Sequence, residues 1–229
     1  MSIIQTIIGS AVGVNYNPTV TYPAPGSNYP ITRSNIASFS SQSQPAYYEA
    51  SSIITPVTGL WRRTYGSTAI TGSSFDTNFP SGYGQTESMR DEHVGFGSAD
   101  DSATNYSMEW KGYFKPAVSG DFNFAFQVDD YLCFWIGANA VSGSTWVNAN
   151  AAGANDLVAG KFPLVAGRYY PVRIAYTENF GGNQCTVWAG LDGTVPVHNT
   201  ANAAVGQFFF DDTDDAHRIS FPGLGLVTP

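Results

Sequence analysis

The sequence predicts an all-β fold: an antiparallel β-sandwich with an extended N-terminal arm and a short C-terminal tail. Three observations support it. Only 12% of the 229 residues are charged, whereas 43% are hydrophobic and 14% aromatic. The 24 glycines and 13 prolines make the chain rich in turn formers, and the residues that fill helices are scarce. Short alternating runs recur between clusters of Gly, Asn, Ser and Asp, as they do in sandwiches.

The composition divides the chain into three stretches. Residues 1–50 are rich in Ser, Thr, Asn, Pro and Gln, so we expect an extended arm that buries no core of its own. Residues 51–215 carry the alternating runs and form the predicted sandwich. Residues 216–229 form an apolar tail with two glycines. We expect the arm and the tail to contact further copies of the chain or other structural subunits.

The clearest strand signal lies in residues 121–128. Four apolar side chains occupy alternate positions there and must share one face of a strand, which we expect to be the core face: Phe122, Phe124, Phe126 and Val128.

Two further runs, 170–176 and 184–189, predict strands on either side of the loop 178–183. In the first of them, Val172, Ile174 and Tyr176 should point inward. A turn glycine, Gly167, ends the run 163–168, so we expect the strands that flank this bend to meet there.

Several classes of function and location are disfavoured by the sequence. A formal charge of −8 argues against binding nucleic acid, which requires clustered Lys and Arg. Residues 1–14 are apolar but lack a basic region ahead of them, so we expect no classical signal peptide. No run of about 18 apolar residues occurs, which excludes membrane insertion by a helix. Cys133 and Cys185 are expected to be buried free thiols, with a bridge between neighbouring strands as the alternative.

A candidate metal site lies where the phenylalanine-rich strand ends. Asp129 and Asp130 are adjacent there, and their like charges repel unless a cation gathers them. Calcium takes about 6 to 8 oxygen ligands, which loops at strand ends can supply, and the oxygen-rich loop 178–183 would form the second half of such a site. Asp-Asp pairs also occur at 100–101, 211–212 and 214–215, so a solvated turn remains the alternative for an arbitrary pair.

Four motifs in one order carry a resemblance to a known family. The first motif, residues 111–130, contains a Gly-Tyr-Phe strand, a Ser-Gly turn, an alternating aromatic strand and Val-Asp-Asp in that order. Ala-Gly-Arg-Tyr-Tyr-Pro begins at residue 166, Asp-Gly-Thr-Val at 192 and Phe-Phe-Asp-Asp at 209. Over about residues 59–212 the chain resembles the protective-antigen-type carbohydrate-binding domain, especially its flocculin and GLEYA branch.

The resemblance implies a calcium site. In that family the two aspartates, here Asp129 and Asp130, are joined by a cis peptide and hold a calcium ion that coordinates neighbouring hydroxyls of a sugar. A third side-chain ligand, an asparagine, follows the Tyr-Pro strand in that family. Here Glu178 precedes Asn179 at this place, and either could coordinate.

Aromatic and amide side chains near the pair are candidate sugar contacts. Trp146 and Phe180 lie in predicted loops, where they could stack on the apolar face of a pyranose. Asn183, in the same loop as Phe180, is a candidate polar contact. Trp135 and Trp188 lie on predicted strands, and we expect them in the core.

The predicted function is therefore binding without catalysis: a calcium-dependent, lectin- or adhesin-like module that attaches to glycans through Asp129 and Asp130. With no signal peptide expected, an extracellular or particle-surface location, such as the surface of a virus or phage, is predicted. The alternative is a purely structural assembly subunit in which the sandwich is a scaffold. A glycoside hydrolase is disfavoured, because its two carboxyls must face each other about 5 to 9.5 Å apart across a cleft.

Overall fold

The protein was analysed as a computed structural model. The structure describes residues 41–53, 56–66, 70–71, 74–75, 84–91, 95–99, 105–142, 149–152, 155–181, 183–192, 197–198, 209–212, 221–222 and 224–229. The predicted arm, as far as residue 40, therefore lies outside the described residues.

Strands dominate the described part of the chain. They are β1 (Tyr47–Tyr48), β2 (Pro56–Thr58), β3 (Leu60–Tyr65), β4 (Ile70–Thr71), β5 (Ser74–Phe75), β6 (Gln85–Asp91), β7 (Gly95–Ala99), β8 (Tyr106–Phe114), β9 (Gly120–Asp129), β10 (Tyr131–Ile136), β11 (Ala149–Ala152), β12 (Asn155–Leu164), β13 (Tyr170–Glu178), β14 (Asn183–Leu191), β15 (Val197–His198), β16 (Phe209–Asp212) and β17 (Leu226–Val227). A 3-10 turn covers Ala50–Ser52, and a short helix, α1, covers Ala138–Ser142. Within these residues no helix is long and apolar enough to cross a membrane.

Two antiparallel sheets form the body of the fold and confirm the predicted all-β sandwich. The large sheet has the order β11-β10-β13-β8-β16-β2, with β3 beside β8 and β6 beside β3. The small sheet has the order β12-β9-β14-β15, with β7 also on β14. Two small pairs, β1 with β17 and β4 with β5, complete the described strands.

The core between the two sheets is aromatic, as the alternation predicts. Phe122, Phe124, Phe126 and Val128 of β9 are buried and pack against β8, β10 and β13. Val172, Ile174 and Tyr176 of β13 enter the same core. Ring pairs such as Phe114 with Phe124, whose centroids are 4.9 Å apart, meet at steep angles, the geometry that aromatic pairs favour.

A second apolar layer covers the outer face of the large sheet. Cys133 and Trp135 point there from β10, on the face opposite to Phe134, and Ala175 does the same from β13. Tyr48 and Phe221 cover them. The predicted burial of Trp135 is confirmed, and Cys133 and Cys185 are confirmed as buried free thiols.

Charged side chains also lie in this outer layer. Glu109 of β8 is buried and forms ion pairs with Arg63 of β3 and Arg173 of β13. Lys111, two residues along β8, is only 8% exposed, and its Nζ lies 4.7 Å from the centroid of the Phe221 ring. The sheet therefore holds three cations around one buried carboxylate.

The ends of the described chain meet on the sandwich. Tyr47 and Tyr48 pair with Val227 and Leu226, and Tyr48 also bridges to Tyr169. Because Tyr47 and Tyr48 are buried, the predicted boundary at residue 50 falls within a packed segment. The predicted tail ends on β1 of its own chain.

The bend at residues 163–168 differs from the prediction. The flanking strands do not meet: β12 pairs with β9 in the small sheet, and β13 pairs with β8 and β10 in the large sheet. Gly167, with φ of +81°, therefore turns the chain from one sheet to the other. Alternation in sequence identifies both strands but not the sheet that each joins.

Candidate functional site

Two connections cross between the sheets at the same end of the sandwich. β9 ends in the small sheet at Asp129, and β10 begins in the large sheet at Tyr131, so the Asp129–Asp130 corner joins them. The peptide bond within this corner is cis, as the family resemblance implies. The loop 178–183 returns from β13 in the large sheet to β14 in the small sheet.

Strand register places this corner beside the loop. Tyr131 pairs with Thr177 in the large sheet, and Asp129 pairs with Gln184 in the small sheet. The residues on either side of Asp130 therefore pair with the residues that flank the 178–183 loop. The two halves of the predicted site, which are almost 50 residues apart in sequence, are adjacent in space.

Hydrogen bonds join the corner to the loop. The backbone N–H of Asn179 donates to Asp130 Oδ2 at 2.8 Å. The carbonyl of Asn179 in turn accepts from the backbone N–H of Asn105 at 3.0 Å, at the start of β8. Asn105 has φ of +58°, a conformation that Asn adopts more readily than most residues. Asn179 thus links the corner to the segment that precedes β8.

The electrostatics of this corner favour a cation. Desolvation, the charge of Asp130 and hydrogen bonding between the two carboxyls together raise the pKa of Asp129. Within the described part of the chain, no ion pair involves either carboxylate. A bound cation would offset their mutual repulsion and reverse this effect on the pKa.

The oxygen atoms that meet at this corner are of the kind that calcium accepts. The described residues contain no group of three or more His, Cys, Asp and Glu side chains that could hold a metal. Two converging carboxylates would thus need neutral oxygens beside them, and calcium accepts amide and backbone carbonyl oxygens as well as water. Asn179 supplies an amide on the adjacent loop.

Glu178 and Asn183 lie beneath the corner. Glu178 is fully buried, and its Oε2 lies 3.0 Å from the hydroxyl of Tyr176. Asn183 is buried as well, and its Nδ2 donates to the hydroxyl of Tyr106 at 3.1 Å. These two predicted site residues thus belong to a polar cluster inside the end of the core, whereas Asp129, Asp130 and Asn179 are half-buried at its surface.

The predicted aromatic contacts divide in a similar way. Phe180 is 79% exposed, directly after Asn179, and is one of the few large apolar side chains that the described residues expose. Trp146 lies outside the described residues, and so does the side chain of Trp188. An exposed ring one residue after the contact between Asn179 and Asp130 can offer a flat apolar surface to a ligand held nearby.

Sequence reasoning missed two participants. Tyr176 was predicted only as a core residue, but its hydroxyl also donates to the backbone carbonyl of Asp129. A signal was present, since a tyrosine at the end of an inward-facing row has a polar atom to satisfy. Asn105 takes part through its backbone, so no side-chain pattern could have revealed it.

The comparisons with known proteins concern this same region. The GLEYA domain model matches residues 106–189, a segment that includes both the corner and the loop. Among curated proteins, none matches the chain significantly in sequence. The GLEYA match confirms the expected resemblance to the GLEYA branch over the central segment.

Solved structures with a similar fold include adhesin domains from Candida glabrata. The A domain of epithelial adhesin 6, in complex with Galβ1-3GlcNAc, is 20% identical; the alignment covers 75% of this chain and 95% of that chain with a TM-score of 0.57. The A domain of epithelial adhesin 9, in complex with Galβ1-4GlcNAc, is 17% identical. Its alignment covers 79% of this chain and 99% of that chain, with a TM-score of 0.55. The PA14 domain of the MpAFP antifreeze protein is 12% identical. Its alignment covers 75% of this chain and 96% of that chain, with a TM-score of 0.50.

These similarities define the class of protein by its fold: an all-β sandwich like the A domains of adhesins. Within this class, residues 106–189 match the GLEYA domain.

Proposed function

We propose that this protein binds carbohydrate without cleaving it, through a calcium ion held at the Asp129–Asp130 corner. The observation that carries the proposal is the convergence of the corner and the Asn179 loop, joined by the 2.8 Å hydrogen bond from Asn179 to Asp130. The GLEYA match over residues 106–189 and the sugar complexes of the two epithelial adhesins support it.

Asp129, Asp130 and Asn179 are the residues that we propose to hold the ion. Glu178 was the alternative to Asn179, but its carboxylate is buried and lies against Tyr176. When bound, calcium would offer free coordination positions to two neighbouring sugar hydroxyls. Phe180 would present its exposed ring to the sugar, which gives the site both a polar and an apolar contact.

A shallow site of this kind should bind one sugar weakly, with a Kd of about 1 mM, or roughly −4 kcal/mol. Attachment to a glycan-coated surface would then depend on many copies acting together. An extracellular or particle-surface location fits this requirement and is part of the proposal.

A glycan array with and without a calcium chelator tests the proposed function. Galactose-terminated disaccharides of the kind held by the two epithelial adhesins are the first probes. We expect binding that is lost on chelation and in Asp130→Ala. Asp121→Ala is the matched control, because Asp121 lies at the opposite end of β9 and is about half exposed. Binding that survives both chelation and Asp130→Ala would contradict the mechanism.

A structural role is the second candidate. It is supported by the C-terminal tail, where Leu224 is 87% exposed beside the β1–β17 pair. In this role the chain would be a subunit of a larger assembly, with or without a bound glycan. Deletion of residues 1–40 should then prevent incorporation into that assembly and leave a folded monomer, and unchanged incorporation would argue against a role for the arm.

A further inference from the structure

We infer that Tyr176 is a positioning residue for the proposed calcium site: it fixes the Asp129 backbone carbonyl and so directs the Asp129 and Asp130 carboxylates. This inference rests on the proposed function but concerns a residue that coordinates neither ion nor sugar. Its basis is a polar cluster at the end of an otherwise apolar core, in which Tyr176, Glu178 and Asn183 are buried and Tyr106 is partly buried.

The hydroxyl of Tyr176 connects this polar cluster to the corner. It donates to the backbone carbonyl oxygen of Asp129 and also lies 3.0 Å from Oε2 of Glu178. Tyr176 itself is fully buried, so water cannot replace these contacts. A phenol has a single O–H, whose direction is therefore set by the two oxygens on either side of it.

The surrounding residues restrict the Tyr176 ring. Its centroid lies 6.1 Å from that of Tyr106, which is the neighbour of Glu178 across the β8–β13 pair. Asn183 donates to the hydroxyl of Tyr106. The cluster thus includes residues from β8, β13 and β14, and its contact with the corner is the Tyr176 hydroxyl on the Asp129 carbonyl. A carbonyl held from below by such a cluster has little freedom to rotate.

Positioning of this kind matters most for a calcium site with few charged ligands. Only two carboxylates converge here, so the affinity for the ion depends on their being oriented before it arrives. Residues that orient metal ligands typically change metal affinity about 10- to 100-fold when they are mutated. Tyr176 fits this description because its hydroxyl contacts the backbone of Asp129, whose side chain is a proposed ligand.

The chain offers a matched pair of variants for the test. Tyr176→Phe removes one hydroxyl and keeps the ring in the core. Tyr170→Phe does the same at the opposite end of β13, where the fully buried Tyr170 accepts hydrogen bonds from the backbone N–H of Val165 at 2.8 Å and from Gln44 at 3.3 Å. Both variants lose a buried hydroxyl from one strand, but only Tyr176 contacts the corner.

Calcium affinity, measured by isothermal titration calorimetry, is the first readout. We expect Tyr176→Phe to weaken calcium binding at least tenfold and Tyr170→Phe to change it less than threefold. An equal loss in both variants would show a general weakening of the core and overturn the inference. So would an unchanged affinity in Tyr176→Phe.

Hydrogen exchange of the Asn179 amide, measured without calcium, is the second readout. This amide donates to Asp130, so its protection reports whether the corner keeps its geometry. We expect at least tenfold faster exchange in Tyr176→Phe, relative to amides of β9, and unchanged exchange in Tyr170→Phe. A wild-type protein that binds no calcium would contradict the proposed function, whereas unchanged Asn179 exchange in Tyr176→Phe would contradict the positioning role.

Discussion

Lys111 gives the structure a pH dependence of stability with a definite sign. The pKa of its ammonium group is lowered from 10.5 to about 8. Burial is the largest cause, the charges of Arg63 and Arg173 act in the same direction, and Glu109 opposes them. Between these two pKa values the unfolded chain binds more protons than the folded chain. The free energy of unfolding should therefore rise with pH in this range.

The size of the effect follows from the same two values. A difference of one pKa unit between the folded and unfolded chain is worth about 1.4 kcal/mol. The buried charge therefore lowers the free energy of unfolding by about 3 kcal/mol at pH 7, and about 2 kcal/mol of this loss is recovered between pH 8 and pH 10. Burial raises the pKa of Tyr48 and Tyr65 to about 12. Their unfolded-state ionisation lowers the stability above pH 10, which sets the upper limit of the window.

Lys111→Met removes the charge and keeps the length of the side chain, and urea denaturation from pH 7.5 to pH 10 measures the result. We expect the variant to gain stability relative to the wild type at pH 7.5 and this gain to shrink by about 2 kcal/mol by pH 10. Lys161→Met, at a partly exposed lysine of the small sheet, is the control for the loss of one positive charge. Parallel curves for the wild type and Lys111→Met would refute the reasoning.

Four further variants test three separate parts of the structure. Gly112→Ala should lower the free energy of unfolding by about 1 to 3 kcal/mol, because a Cβ there would lie 2.5 Å from the carbonyl oxygen of Phe210; a urea midpoint equal to that of the wild type would contradict this. Glu109→Gln should cost about 3 to 5 kcal/mol in the same assay, since the buried Arg173 and the partly buried Arg63 both lose their carboxylate partner. A loss below about 1 kcal/mol would show that the ion pairs contribute little. Glu178→Gln should keep calcium affinity within about threefold by calorimetry, because its amide can still contact the Tyr176 hydroxyl. Asp130→Asn should abolish calcium binding. Equal losses of affinity in the two variants would identify Glu178 as a ligand.

Much of the sandwich could be predicted from alternation alone. Phe122, Phe124 and Phe126 lie on the core face because a strand has a period of two and only one face of β9 is continuously aromatic. The same rule placed Val172 and Ile174 correctly. What alternation does not contain is the identity of the neighbouring strand, and this is why the bend at Gly167 was expected to join paired strands rather than the two sheets.

The outer layer of the large sheet shows a second limit of sequence reasoning. Cys133 and Trp135 alternate with core residues, and a strand with one wet face would carry polar residues at such positions. They are apolar because Tyr48 and Phe221, distant in sequence, cover them. The apolar character of both faces of β10 was visible in the sequence, but the segments that bury its outer face were not.

The sequence by itself determined the all-β class, the core rows and the pair of adjacent carboxylates, because each depends on residues close together along the chain. Only the tertiary structure decided which side chains join that pair. It brings the Asn179 loop to Asp130, buries Glu178 and Asn183 below, and directs the hydroxyl of Tyr176 to the corner. These contacts form because two connections cross between the same two sheets. Local sequence patterns do not show which distant strands pair, so they could not predict these contacts.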